Sequence, residues 1–143
     1  AQIIYEMEDL LQPAAYPYKG YSGKGFVETS TTVNPKMTIP VTVATDGEYL
    51  IDFRYANGNG PVNTDNKCAV RNLWVDGQMQ SAIVFPQRGK DEWSEWGWSN
   101  ALKVSLRAGT HTLVLDYLPA DENMNITINQ AMLDQIRLRK AGR

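Results

Sequence analysis

Glu6 and Glu8 stand two residues apart in the segment "YEMEDL" (residues 5–10), with Asp9 directly behind them. The flanking Ile3, Ile4, Tyr5 and Met7 favour a strand. Alternate side chains of a strand share a face, so the two glutamates are expected to project together, roughly 7 Å apart. On a wetted face such a pair is an ordinary solvated surface; on a covered face it needs something positive between its members. Asp134, in "AMLDQIRL", has the parity of Ile136 and Leu138 and is expected to point inward. A carboxylate there is costly unless it is neutralised or paired. Calcium takes six to eight hard oxygens from carboxylates and carbonyls at about 2.3–2.6 Å. Glu6, Glu8 and Asp134 would supply part of that set if the first and last strands are neighbours, which spacing leaves open.

A second chemistry lies in "DEWSEWGWSN" (91–100), where Trp93, Trp96 and Trp98 fall within six residues among Asp, Glu, Ser and Gly. An indole offers a flat apolar face to the C–H side of a sugar ring, while planar amides and Arg forks suit its hydroxyls. Tyr16, Tyr18 and Tyr21, together with many Asn, lie in other expected loops. Loops carried by a rigid scaffold are where binding residues concentrate. The competing reading is that Trp96 and Trp98 cap the end of the fold from inside.

Most catalytic classes find no support. His111, the single histidine, follows a Gly-Thr turn at a strand start and reads as structural; zinc would need a His/Cys cluster. Cys68 has no His partner in sequence context and cannot form an internal disulfide, and no nucleophile elbow or phosphate loop is present. Asp91, Glu92 and Glu95 are of the type that forms a glycosidase pair, but a solvated acidic loop accounts for them better. A net charge of −2, with basic residues scattered until the closing "RLRKAGR", does not favour nucleic acid, and no apolar run is long enough for a membrane helix.

The elements that must position these residues are strands. "TDGEY", "VDGQM" and "RAGTH" are hairpin-type turns, and in "EYLIDFRY" Tyr49, Ile51, Phe53 and Tyr55 share one face while Glu48, Asp52 and Arg54 take the other. Strands are expected at 2–7, 25–29, 37–44, 48–56, 68–76, 78–84, 101–107, 111–118 and 133–139. A helix fits only within 9–15, where Pro13 limits it to about one turn. This pattern implies an all-β, antiparallel β-sandwich of jelly-roll type, one domain filling 1–143. The chain opens without an initiator Met or a leader pattern, as a mature or excised module of a longer protein would.

In order along the chain, several segments resemble the carbohydrate-binding modules of families 6 and 35, closer to family 35. "YEMEDL" resembles their Tyr-Glu-Ala-Glu-Asp opening, and "GYSGKGFV" (20–27) their Gly-Tyr-Ser-Gly turn. "GEYLIDFRYANG" (47–58) is the most specific match, and "LWVDG", "WSEWGW", "VSLRAGTHTLVLDY" and "LDQIRL" follow in sequence. The resemblance implies a galactose-binding-like jelly roll that binds poly- or oligosaccharide, has no activity of its own, and is joined to a glycoside hydrolase or lyase. It implies a secreted, periplasmic or cell-surface location in bacteria. It also implies a structural Ca2+ held by Glu6, Glu8 and Asp134, with a carbonyl near Gly23 or Lys24. The implied sugar contacts are Tyr21, Asn57, Trp93 and Trp96, with Arg71 or Arg88. Many members place an Asn where this chain has Met132; Asn125 or Asn129 could stand in for it, though nothing in the sequence requires that. That departure keeps a second reading open: a structural sandwich packed on its own catalytic domain, with a degenerate sugar site.

Overall fold

The computed structural model describes residues 2–16, 18–30, 32–57, 68–86, 96–117 and 131–141. In chain order these form β1 (Gln2–Glu6), a 3-10 turn (Met7–Asp9), β2 (Val27–Thr29), β3 (Lys36–Val43), β4 (Gly47–Ala56) and β5 (Cys68–Val75). They continue with β6 (Gln78–Pro86), β7 (Gly97–Trp98), β8 (Leu102–Leu106), β9 (Gly109–Asp116) and β10 (Ala131–Lys140). Each expected strand is present with its ends shifted by a few residues, and the two-residue β7 is an addition. Every described pairing is antiparallel.

In the first sheet β10 lies between β4 and an edge shared by β1 and β2, and the far edge of β4 is shared by β7 and β8. The second sheet runs β3-β9-β5-β6. Successive strands therefore cross repeatedly between the sheets, which is jelly-roll connectivity. Period-two alternation builds the core. β3 alternates exposed and buried at every residue, and its Pro40 is tolerated because β3 is an edge strand. Met37, Ile39, Phe53, Tyr55, Leu73, Phe85, Leu115 and Ile136 belong to one buried cluster between the sheets.

Two local departures from alternation matter for the site. The register of β10 on β4 passes from Leu133↔Tyr55 to Gln135↔Arg54, so Asp134 is an extra residue in a β-bulge. Leu133 and Ile136, three apart, both enter the core, and Asp134 turns outward with Gln135. Asp134 is thus buried on the outer side of the first sheet, under residues 20–24, instead of facing the core as parity implied. The first strand likewise stops at Glu6. Glu8 reaches its neighbour through the 3-10 turn instead of strand alternation, and this turn begins two residues before the segment in which a helical turn was expected.

Candidate functional site

On the outer face of the first sheet, β1 sets Glu6 opposite Gln135, the bulge presents Asp134 beside them, and the 3-10 turn brings Glu8 in from the edge. One oxygen from each carboxylate lies within 4.8 Å of the others. The turn at 22–24 fastens one oxygen of each acid. Ser22 N–H donates to Asp134 Oδ2 at 2.9 Å, Lys24 N–H to Glu8 Oε2 at 2.9 Å, and Ser22 Oγ–H to Glu6 Oε2 at 3.0 Å. Gln135 Nε2 adds a bond to Glu6 Oε2 at 2.8 Å, and the Arg54 guanidinium pairs with Asp134 Oδ2.

The second oxygens, Glu6 Oε1, Glu8 Oε1 and Asp134 Oδ1, are buried and have no hydrogen-bond partner. Buried polar atoms are almost always paired, so three orphaned carboxylate oxygens on converging side chains are a donor set suited to a hard cation. Burial pushes the Asp134 carboxyl up to about 6, against the pull of Ser22 N–H and Arg54. One guanidinium therefore falls short of balancing the charge. Gly23 closes over the cluster with φ +60, and a Cβ there would overlap Glu8 Oε2 and lie 3.0 Å from Glu6 Oε1. No larger residue fits so close.

Arg54 links this cluster to an aromatic surface. It also bonds Gly20 O at 3.3 Å, and its guanidinium carbon lies 5.8 Å from the Trp96 ring centre. Phe26, buried with Ala56 and Met132, is the floor on which Tyr18, Tyr21 and Trp96 rest, with ring centres 5.7, 5.3 and 5.5 Å away. Tyr16 stacks on Tyr18 at 5.2 Å. Trp96 is oriented by its Nε1–H, which donates to Lys19 O at 2.7 Å. Tyr16 and Tyr21 remain 42% and 37% exposed, enough to present ring surface to a ligand.

No protein-family model matches the chain. It is 36% identical over 116 residues to a cycloisomaltooligosaccharide glucanotransferase of Niallia circulans, a match covering 79% of this chain and 11% of that enzyme. A solved cycloisomaltooligosaccharide glucanotransferase of Paenibacillus sp., complexed with cycloisomaltoheptaose, aligns at 27% identity and a TM-score of 0.69. That match covers 94% of this chain and 18% of that one. A family 35 carbohydrate-binding module from Clostridium thermocellum aligns at 17% identity and a TM-score of 0.70, over 99% of both chains. The chain has the fold of a family 35 carbohydrate-binding module. It spans 11% of the length of the first two curated relatives it matches.

Within this fold, the residues expected to touch sugar separate into three groups. Tyr21 and Trp96 are brought together on Phe26. Asn57 and Arg71 are buried. Asn57 Nδ2 donates to Phe85 O at 2.9 Å, while Arg71 Nε donates to Thr29 Oγ1 at 3.2 Å and the guanidinium lies over Tyr117. These two side chains hold the strand ends from within and present no surface to a ligand. Arg88, Trp93 and Asn125 lie outside the described residues, as do Asp91, Glu92, Glu95 and Asn129. Trp98 neither caps the core nor joins the Phe26 cluster: on edge strand β7, it carries the Arg137 guanidinium 3.7 Å from its ring centre.

Tyr16, Tyr18 and Arg54 were not among the expected contacts. A signal existed for each. "YPY" places two aromatics in a loop next to Tyr21, and alternation in "EYLIDFRY" puts Arg54 on the face away from the core. His111 is structural, with Nδ1 at 2.6 Å from Asp76 Oδ2 and Nε2 at 2.7 Å from Arg107 O.

Proposed function

We propose that the chain is a non-catalytic module that binds α-1,6-linked glucan and holds an attached glucan-active catalytic domain close to it. The observation that carries this reading is the aromatic surface formed by exposed Tyr16 and Tyr21 and half-buried Trp96, floored by Phe26 and flanked by Arg54. Stacked rings with one adjacent guanidinium suit the C–H face and hydroxyls of a glucose unit. The choice of glucan follows the relatives, whose names specify isomalto-type saccharides and 1,6-alpha-glucosyl transfer, and the module's small share of their length suits an accessory role. A polymeric α-1,6-glucan is a substrate met outside the cell, which supports a secreted, periplasmic or surface-bound bacterial enzyme as its setting.

In the same reading, Glu6, Glu8 and Asp134 hold a structural Ca2+. When bound, it would supply the positive charge that Arg54 leaves short, and it would lock the 20–24 turn that carries Tyr21. These three side chains tie the first strand, its following turn and the last strand together; the sugar is read by the aromatics beside them.

Affinity electrophoresis through dextran-containing gel tests the sugar reading. One stacked ring and a few hydrogen bonds give micromolar to millimolar binding. Trp96→Ala should lose roughly tenfold or more of its retardation, about 1.4 kcal/mol or more, while keeping its circular dichroism spectrum. Equal retardation of Trp96→Ala and Tyr21→Ala with the parent would overturn the assignment of the cleft. One observation favours a second reading, a structural sandwich packed on its own catalytic domain. Met132 is fully buried under Phe26 and offers no polar group to a sugar. Absence of retardation on dextran and on a wider glycan panel would support that reading.

A further inference from the structure

A depression opens beside the aromatic surface, and none of the expected sugar contacts lines it. Gln12, Pro13, Ala14, Glu28, Val33 and Asn34 form its walls, around a volume of about 360 Å3. Sites for small ligands run from roughly 300 to 1,000 Å3, so this one has room for a sugar unit. It is continuous with the Phe26 cluster. Ala14 packs on that cluster, and its N–H donates to Phe26 O at 2.8 Å. Tyr18 stacks on Phe26 and Tyr16 on Tyr18, and Tyr16 Oη–H donates to Glu28 Oε1 at 3.1 Å. The carboxylate that ends the aromatic row is therefore the one that lines the depression.

The segment that follows β2 is fixed by its own hydrogen bonds. Asn34, at φ +48, donates from Nδ2 to Glu28 O at 2.8 Å, and Thr29 Oγ1–H donates to Asn34 O at 2.8 Å. Ser30 N–H donates to Val33 O at 2.8 Å, and Val33 N–H to Ser30 Oγ at 2.9 Å. A wall that is already ordered loses little freedom when a ligand arrives. Its surface is mixed. Val33, 42% exposed, and the exposed Pro13 offer apolar contact. The Glu28 carboxylate accepts hydrogen bonds, and the Gln12 amide, which makes none among the described residues, can both donate and accept. Apolar patches with an acceptor and an amide match the C–H groups and hydroxyls of a sugar. A carboxylate in the wall also repels an acidic ring, so the matching unit is neutral.

We infer that this depression extends the sugar site: a glucan chain seated on Trp96, Tyr21 and Tyr16 places its next neutral glucose unit against Glu28, Gln12 and Val33. The inference rests on the glucan reading proposed above and gives that site a length. A single sugar fills only part of the contact, whereas an oligosaccharide fills all of it, with the second unit tethered to the first and so at high effective concentration. The module then prefers chains to monosaccharides, and Glu28 sets the far end of what it reads.

The probes are methyl α-glucoside and isomaltotriose, titrated into the 143-residue chain while the Trp96 indole N–H and the Gln12 side-chain amide are followed by NMR. Isomaltotriose should move both resonances with one shared Kd, about tenfold below that of the monosaccharide. Glu28→Ala should raise the isomaltotriose Kd about tenfold through loss of a charged hydrogen bond, and Gln12→Ala about threefold through loss of a neutral one. Gln12 is exposed and holds nothing in the fold, so its variant separates lost contact from lost structure. Movement of Trp96 with Gln12 static overturns the extension alone. Two different Kd values for the two resonances, equal affinity for the two probes, or indifference to both substitutions also overturn it and leave the glucan reading standing. Stillness at both resonances overturns the extension and the glucan reading together.

Discussion

Two acids are buried on the outer side of the same sheet, and they are treated in opposite ways. Asp52 on β4 is 2% exposed and receives a fork from Arg137, Nε at 3.0 Å and Nη2 at 2.6 Å, with Arg139 Nη2 at 3.4 Å. Arg137 is itself pinned against Trp98. Asp134 on β10, fully buried, is met by one guanidinium while two further carboxylates crowd beside it, and an oxygen of each acid is orphaned. The protein answers the first charge with its own side chains and leaves the second cluster short. Burial of an acid is therefore no reason by itself to propose a metal; burial with unspent acceptors and too few cations is.

The largest test breaks the self-sufficient side. Arg137→Ala leaves Asp52 facing only the more distant Arg139, and stranding one member of a buried pair costs about 3–5 kcal/mol. Urea denaturation should register that loss equally in calcium and in chelator. A calcium-dependent loss would mean that the two acidic centres are coupled, and the contrast between them would fail.

The next test addresses the cluster that lacks cations. A ligand bound only by the native state adds about 2.7 kcal/mol at a hundredfold excess over its Kd. Calcium should raise the melting temperature of the metal-stripped chain, and Asp134→Asn or Glu8→Gln should abolish that rise. Thermal denaturation with and without chelator reads it directly. A chain loaded with calcium beforehand and indifferent to chelator would remove the cation from the account.

Gly23→Ala sharpens the same side with a smaller effect. The substitution forces a side chain into a left-handed backbone and against Glu8, at a cost of about 1–3 kcal/mol. Because the displaced atoms are the donor set, the variant should also need more calcium for half-maximal stabilisation. Isothermal calorimetry measures this, and an unaltered calcium affinity would separate the turn from the site.

The contrast also marks what the sequence could convey. Strands were legible because β3, β4 and β9 alternate cleanly and their turns carry Asp-Gly or Gly. The pairing of Glu6 and Glu8 with Asp134 was reached partly for the wrong geometric reason. A bulge inserts one residue and reverses parity, and nothing in "AMLDQIRL" marks it; the 3-10 turn at Met7–Asp9 similarly replaces an expected strand end. Arg71 shows the reverse case. It shares parity with Ala69, Leu73 and Val75, so alternation already placed it inward, whereas the family resemblance implied a sugar contact. Asn57 has the parity of Tyr55 and went astray in the same way. Loop residues such as Tyr21 and Trp96 carry no periodicity, so which of them share a floor became readable only from the position of Phe26.

The mildest test uses an acid whose partner can be switched off. Asp76 is half exposed and is paired with His111, whose imidazole is pushed above its usual 6.5, first by Arg107 O and then by Asp76. The hydrogen bond from His111 in turn pulls Asp76 below 3.8. A raised histidine gives stability that is complete below its unfolded pKa and is lost as pH rises through the folded value. A depressed aspartate gives stability that is complete above its unfolded pKa and is lost as pH falls through its folded value. The clamp between the β5–β6 and β8–β9 turns is therefore strongest in a mildly acidic window, about pH 5–6, and fades in alkali. His111→Gln should destabilise the chain by urea denaturation near pH 5.5 and be nearly silent near pH 9. Equal destabilisation at both values would mean that the neutral ring suffices. The positive charge on His111 would then add nothing to the clamp.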